Sequence, residues 1–327
     1  MRLDDLPRGP DGLVSFARAE SLGLTEQLRT ARAAGALVPV RRGVYAEPSA
    51  LEGLDAIDRH RLAAHAVAVQ RPGVVFAGAT AAVLSGLPCV GARFGEVTVL
   101  APRGSGRCRN GVRELVRVEV DARSITGDGF ATTSLVDTLI EVARSQSLLT
   151  ALVMVDAALY RSRTGALSRC TIDELRVRFA ELLPFPSSRK VGAVLDRATD
   201  LAETPLETLS RVRVDEFGFP EPVLQFEVLR PRSGRLAYLD LAWPEQGIWG
   251  EADGAGKYLG AGADRRSPAD IVREEKRRED EVRSATGWRC VRWDWLEAWR
   301  GEPLRRALIE AGLPLRSRRP RRARDSG

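Results

Sequence analysis

Arg235-Leu-Ala-Tyr-Leu-Asp240 and Ile248-Trp-Gly-Glu-Ala-Asp253, joined through Leu-Ala and a Trp-Pro-Glu-Gln-Gly turn, decide how this chain reads. Both stretches have strand composition, and the short connection bearing Pro and Gly makes them antiparallel neighbours. Residues two apart on a strand share a face, so Glu251 and Asp253 point the same way, and Asp240 on the partner strand can meet them. Carboxylates crowded together repel; a hard divalent cation such as magnesium relieves the repulsion and activates water. Asp240, Glu251 and Asp253 are therefore candidate metal ligands.

Working outward, Thr204-Pro-Leu-Glu207 caps a helix running to about Glu216, and strands over 223–229, 236–243 and 246–253 follow as a meander. Ser267-Pro-Ala-Asp270 starts a long charged helix that Gly287 stops. Trp288 to Trp293 is a further strand, and Trp295 to Leu308 a final helix. Helix, three strands, helix, strand, helix predicts an α/β domain with a mixed sheet flanked by helices.

Toward the N-terminus, residues 15–22 and 25–34 read as two short helices broken by Gly23, and 36–40 with 43–46 as a small hairpin around Arg41-Arg42. This is a winged helix-turn-helix pattern. In that geometry Thr25, Gln27, Arg29 and Arg32 of the second helix face a duplex groove, while Arg41 and Arg42 of the wing meet phosphates. Residues 51–200 read as mainly helical with one strand pair, over 96–100 and 114–120. His60 and His65, the only histidines, stand about 140° apart on a helix and cannot form an i,i+4 metal pair. Thr171-Ile-Asp-Glu174 is a capping box opening a helix to Leu183, and Pro184 to Ser188 is a linker.

Composition limits the function classes. A chain of 327 residues with 44% hydrophobic and 29% charged content buries a substantial core and divides into two or three domains. No stretch reaches the roughly eighteen apolar residues of a membrane span, and the first residues lack a signal-peptide pattern, so the expected setting is cytoplasmic. The four cysteines have no metal-ligand spacing and read as isolated reduced thiols. Six arginines between Arg316 and Arg324, set against Asp325, hold +5 of the formal charge of +6, which leaves the body near neutral. Such a tail binds polyanions or serves as a disordered, solubilising end. The expected divisions are 1–50, 51–200, 201–312 and a tail at 313–327.

Residues Leu13 to Ala46, with their helix, glycine, helix, arginine-rich wing and Gly-Val-Tyr, resemble the N-terminal domain of the type IV abortive-infection antitoxins. The similarity continues through Phe76 to Leu87, Glu96 to Leu100 and Phe130 to Leu139. It implies operator binding, autoregulation and a toxin or defence-system partner. Those antitoxins end where this chain continues.

Residues 200–300 resemble the PD-(D/E)XK nuclease superfamily, in its branch similar to very-short-patch-repair endonucleases. Glu207 matches the glutamate of the family's first helix, Asp240 the strand aspartate, and Glu251-Ala-Asp253 the motif that is usually Glu-X-Lys. The runs Glu251 to Tyr258, Glu274 to Asp280, and Gly287 to Arg292 are also typical of that branch. The resemblance implies a restriction-endonuclease-like domain cleaving phosphodiester bonds, with magnesium held by Asp240, Glu251 and the Ala252 carbonyl. Asp253 stands where the motif lysine belongs. Either it is a further metal ligand, or Lys257 reaches in, or activity is lost, which leaves an antitoxin-like regulator as the alternative. Lys276, Arg277 and Arg278 either touch the DNA backbone or pair with Glu274, Glu279 and Asp280 along their own helix, the second being the simpler reading.

Overall fold

The computed structural model describes residues 6–9, 12–101, 106–116, 124–163, 168–253 and 268–316. The chain combines α and β structure in two compact units, Met1–Leu159 with Ser168–Ala198, and Tyr160–Leu167 with Thr199–Gly327. Among the described residues, no helix is long and apolar enough to cross a membrane.

In the first unit, β1 (Val14–Ser15), α1 (Phe16–Ser21), α2 (Thr25–Ala33), β2 (Val38–Arg41) and β3 (Val44–Ala46) make a three-stranded sheet, in the order β1-β3-β2, with two helices. Leu28 and Ala31 of α2 lie three apart on one helical stripe, and they pack with Val14, Ala19, Leu37 and Tyr45 into a local core. The segment expected as a separate division at 1–50 thus lies in the same compact unit as the residues that follow.

Next come α3 (Ala56–Gln70), β4 (Val75–Phe76), α4 (Gly78–Leu84), β5 (Val97–Leu100), β6 (Cys108–Arg109), β7 (Val112–Leu115), β8 (Ser124–Ile125) and β9 (Ala131–Thr132). The strands form one mixed sheet in the order β6-β7-β5-β4-β9-β8. The middle is mainly helical as expected, and the expected strands pair as β5 and β7. The pair is part of a six-stranded sheet, which corrects the expectation of a single pair; residues 117–120 of the second expected strand lie outside the described residues. Four of the six strands are two residues long, too short for period-two alternation to register in the sequence. Helices α5 (Leu135–Ser145), α6 (Leu148–Leu159), α7 (Ile172–Leu182) and α8 (Ser188–Leu195) complete the unit. The capping box at Thr171 and Glu174 is formed as expected. Asp137 of α5 accepts from Arg178 of α7 at 2.9 Å, both groups being buried, which fixes the α5–α7 contact.

The second unit carries α9 (Pro205–Glu216), β10 (Val223–Leu229), β11 (Leu236–Trp243), β12 (Ile248–Ala252), α10 (Pro268–Thr286), β13 (Arg289–Trp293), α11 (Trp295–Arg300) and α12 (Glu302–Glu310). Its sheet runs β10-β11-β12-β13, antiparallel through β12 and parallel between β12 and β13. The expected single helix over 295–308 is two helices, divided at Gly301, whose φ of 79° suits glycine.

Neighbouring residues of β12 assign the two helical layers. A Cβ on Gly250 would come within 2.2 Å of the Trp293 ring, so the absent side chain lets that indole lie across the strand. Trp293 Nε1 then donates to Ser210 Oγ on α9 at 2.7 Å. Glu251, pointing the other way, meets Arg278 of α10. The sheet is therefore covered by α9 on one face and α10 on the other, with Val282 of α10 buried among Val228, Ala237, Leu239 and Trp249.

Candidate functional site

Strands β11 and β12 are joined by a short 3-10 turn at Pro244–Gln246 and by Gly247 in the left-handed region, φ 61°. The turn sets Trp243 opposite Ile248 and Leu241 opposite Gly250, where the paired register ends. Asp240, the next residue of β11, lies near enough for its charge to act on Glu251. Asp240 closes the ladder with its side chain, its Oδ2 accepting the Ala252 N–H at 2.9 Å. On β10, Gln225 has φ 52° and falls between the pairs Leu224–Leu241 and Phe226–Leu239, opposite Asp240. Glu251 is paired in parallel with Arg292. Gln225, Asp240, Glu251 and Arg292 therefore form one row across the sheet.

Glu251 is 7% exposed, and both of its oxygens accept hydrogen bonds. Oε1 accepts from Trp249 Nε1 and from Arg278 Nη2, each at 3.2 Å, and Oε2 accepts from Arg278 Nη1 at 3.2 Å. Arg278 also donates to the Tyr238 carbonyl at 2.6 Å and to Glu275 Oε1 at 3.4 Å. Burial pushes the Glu251 carboxyl up to about 7 against the pull of Arg278, and the charge of Asp240 adds to the rise. Burial opposes the charge on Arg278, but the surrounding Glu251, Glu275 and Asp240 hold its guanidinium above its ordinary value.

Asp253 and Glu207 are held apart from this pair. Asp253 gives its N–H to the Trp293 carbonyl, and its carboxylate lies 4.0 Å from Arg292. Glu207 is buried at the start of α9, where Oε1 accepts from Thr204 Oγ1 at 2.9 Å and Oε2 from the Glu203 N–H at 3.0 Å. Gln225 Nε2 donates to Glu207 Oε2 at 3.0 Å, linking that carboxylate to the row. Arg163 bonds the other end of the same amide and lies 3.6 Å over the Tyr238 ring. Lys257 lies outside the described residues. Among the described residues no group of three or more His, Cys, Asp or Glu side chains is gathered to hold a metal ion. Asp240 and Glu251 come together; Asp253 and Glu207 do not join them.

Sequence reasoning passed over Trp249, Gln225 and Arg163, and it gave Arg278 partners on its own helix rather than Glu251. For Arg278 one signal was available: it lies four residues before Val282, the buried apolar residue of α10, and so on the same helical stripe. Gln225 and Arg163 carry no such signal.

The six N-terminal candidates divide by exposure. Arg29 pairs with Glu26, the Arg32 guanidinium lies 4.6 Å over Tyr45, and the Arg42 side chain is exposed. Thr25 and Gln27 are half-buried, and Gln27 Oε1 is enclosed without a hydrogen-bond partner. Arg41 turns onto the Asn110 carbonyl at 3.3 Å, where burial and neighbouring Arg71 lower its pKa.

The first unit also holds a polar cleft of about 580 Å³ whose lining includes His60, Glu96, Arg113, Glu141, Arg144 and Lys190. Arg113 pairs with Glu96 and Arg144 with Glu141, while Lys190 donates to the carbonyls of Arg144 and Gln146. Arg93, Arg113, Arg144 and Lys190 outnumber Glu96 and Glu141 in its lining, which keeps an excess of positive charge.

No family model matches the chain. Two uncharacterized proteins of Mycobacterium tuberculosis, MT2308 of strain CDC 1551 and Rv2248 of strain H37Rv, are each 31% identical to it over 252 residues, spanning 74% of this chain and 80% of their own. The crystal structure of the RV2827C protein from the same species covers 63% of this chain and 76% of its own at 16% identity. Its TM-score of 0.38 is too low to carry an argument.

Proposed function

This chain belongs to the family of those two mycobacterial proteins, and we propose that it is a DNA-binding, defence-type protein whose second unit is a magnesium-dependent, endonuclease-like domain. The observation that carries this reading is the meeting of Asp240 and Glu251 on adjacent strands of a mixed sheet, between α9 and α10. Magnesium asks for no more, since it commonly takes one or two carboxylates and completes its shell with water and substrate phosphate. The donor chemistry fits, because burial and then the nearby charge of Asp240 disfavour the charge on Glu251, and a cation would relieve both. Bound there, the ion would polarise a scissile phosphate and acidify a water molecule.

The protein's own groups position the pair. The Ala252 N–H orients Asp240 and the Trp249 indole orients Glu251. Glu207 and Gln225 brace the neighbouring backbone of β10 opposite Asp240. Asp253, drawn toward Arg292, leaves the position of the motif lysine without a cation, and Lys257 is the candidate to supply one. At the N-terminus, exposed Arg29, Arg32 and Arg42 are the proposed phosphate contacts, with Thr25, Gln27 and Arg41 set further in.

The clamp of Arg278 on Glu251 favours a second reading, an antitoxin-like regulator whose nuclease-like unit is inactive. Supercoiled plasmid and linear duplex, incubated with magnesium, manganese or chelator, separate the two. Metal-dependent nicking by the wild type, lost in Asp240→Asn/Glu251→Gln, is the expected result. Duplex binding without cleavage transfers the assignment to the regulator; absence of both sinks the two readings together.

A further inference from the structure

We propose that Arg278 is a displaceable internal counter-ion that closes the Asp240–Glu251 pair to divalent cations, and that Glu275 is the carboxylate that receives it when the pair opens. This rests on the reading of that pair as a metal site.

Clamp and metal compete for the same carboxylate. The planar fork of Arg278 spans both oxygens of Glu251, and the Trp249 indole takes a further site on Oε1. A cation that ligates Glu251 through both oxygens displaces the guanidinium, and one that takes only the remaining site on Oε2 meets its positive charge. The clamp is also weaker in charge than its competitor, since a guanidinium brings one positive charge to Glu251 and a divalent ion brings two.

Arg278 has somewhere to go. It arises from α10, whereas the two carboxylates belong to β11 and β12, so it can leave without disturbing the hairpin that aligns them. Its side chain is 25% exposed against 9% for Glu251, so its route outward is toward solvent. Glu275, one turn earlier on α10 and 40% exposed, already accepts from Nη1 at 3.4 Å. Arg292, which shares Glu275 at 3.5 Å, keeps Glu279 at 3.0 Å if Arg278 takes Glu275 over. Removing Arg278 should thus strengthen metal binding, and removing Glu275 should weaken it. A group that merely supported the fold would move the two in the same direction.

Mn2+ binding to the full chain, followed by the loss of the free-ion paramagnetic resonance signal at about pH 8, tests this with a readout independent of cleavage. Arg278→Gln is expected to bind Mn2+ about tenfold more tightly, the factor imposed by a closed state populated about nine times in ten. Glu275→Gln is expected to bind it several-fold more weakly, and Asp240→Asn/Glu251→Gln to abolish binding in either background. Should Arg278→Gln lose its fold, Arg278→Lys replaces the fork by a single point charge and is expected to tighten binding by a smaller factor. Unchanged or weaker binding in the Arg278 variants, with loss in the carboxylate double variant, overturns the counter-ion and leaves the metal site standing. Binding that survives the double variant overturns both.

Discussion

His60 is held in the neutral form by its surroundings. Thr80 Oγ1 accepts the Thr98 N–H at 2.9 Å and shares a hydrogen bond with His60 Nε2, 2.9 Å away, while Phe94 stacks on the ring at 4.5 Å. Burial pushes the imidazole down to about 4. An unfolded histidine takes its proton near pH 6.5, so between about 6.5 and 4 the unfolded chain binds more protons than the folded one. The contribution of His60 is therefore complete above about pH 6.5 and is lost as pH falls through the folded value, with a slope of at most about 1.4 kcal/mol per pH unit. Amide exchange over residues 56–70, corrected for intrinsic rates, is expected to show this acid-driven opening. His60→Gln should flatten the slope; an equal slope in wild type and variant would remove His60 as its source. Separate placement of the two histidines was legible in the sequence, and the structure agrees, with His60 against Phe94 and His65 against Phe130. The role of Arg278 was not legible. A helix reading Glu274-Glu-Lys-Arg-Arg-Glu-Asp280 offers each cation a local acid, and only tertiary packing selects Glu251 for one of them.

Gly301 is the hinge between two elements expected as one helix. Trp295 and Ala298 share one helical stripe, and Leu304 and Leu308 lie roughly half a turn round from it, so the apolar phase changes across Gly301. The break is enforced by φ 79° at Gly301 and by Phe217, whose ring would lie 2.8 Å from a Cβ placed there. Gly301→Ala is expected to cost about 1–3 kcal/mol through backbone strain and that clash. All six tryptophans lie in the second unit, so denaturant unfolding followed by indole fluorescence reports this unit alone. A variant as stable as wild type would show that the α11–α12 junction tolerates a side chain. Element legibility follows the same physics. Val223–Leu229 and Leu236–Trp243 were readable to the residue because long strands bounded by Pro and Gly turns carry both a pattern and its ends. Of the sheet from β4 to β9 only the β5 and β7 pair was anticipated, because the other pairings join residues far apart in the chain through strands as short as two residues, as Phe76 with Val99 and Val75 with Ala131.

At the scale of the molecule, the distribution of charge bears on any polyanion it meets. Residues 317–327 contribute five arginines and one aspartate, so a chain ending at Arg316 drops from a formal charge of +6 to +2. Arg316 itself belongs to the folded second unit, bonded to Asp215 at 2.7 Å, and survives the truncation in place. Binding to duplex DNA by phosphate contacts releases counterions, and the slope of log affinity against log salt is about −0.9 per phosphate neutralised. If all five tail arginines reach phosphates, their removal should flatten that slope by about 4.5, and partial engagement by proportionately less. Fluorescence anisotropy of a labelled duplex, titrated at several salt concentrations with the full and truncated chains, measures the difference. An unchanged slope would assign the contacts to Arg29, Arg32 and Arg42, and the triple exchange of those three to Gln should then lower it instead. The two sources differ in kind. Arg32 is braced over Tyr45 and Arg29 by Glu26, so their contacts carry a fixed register, whereas a slope that resides in the tail is electrostatic attraction without one.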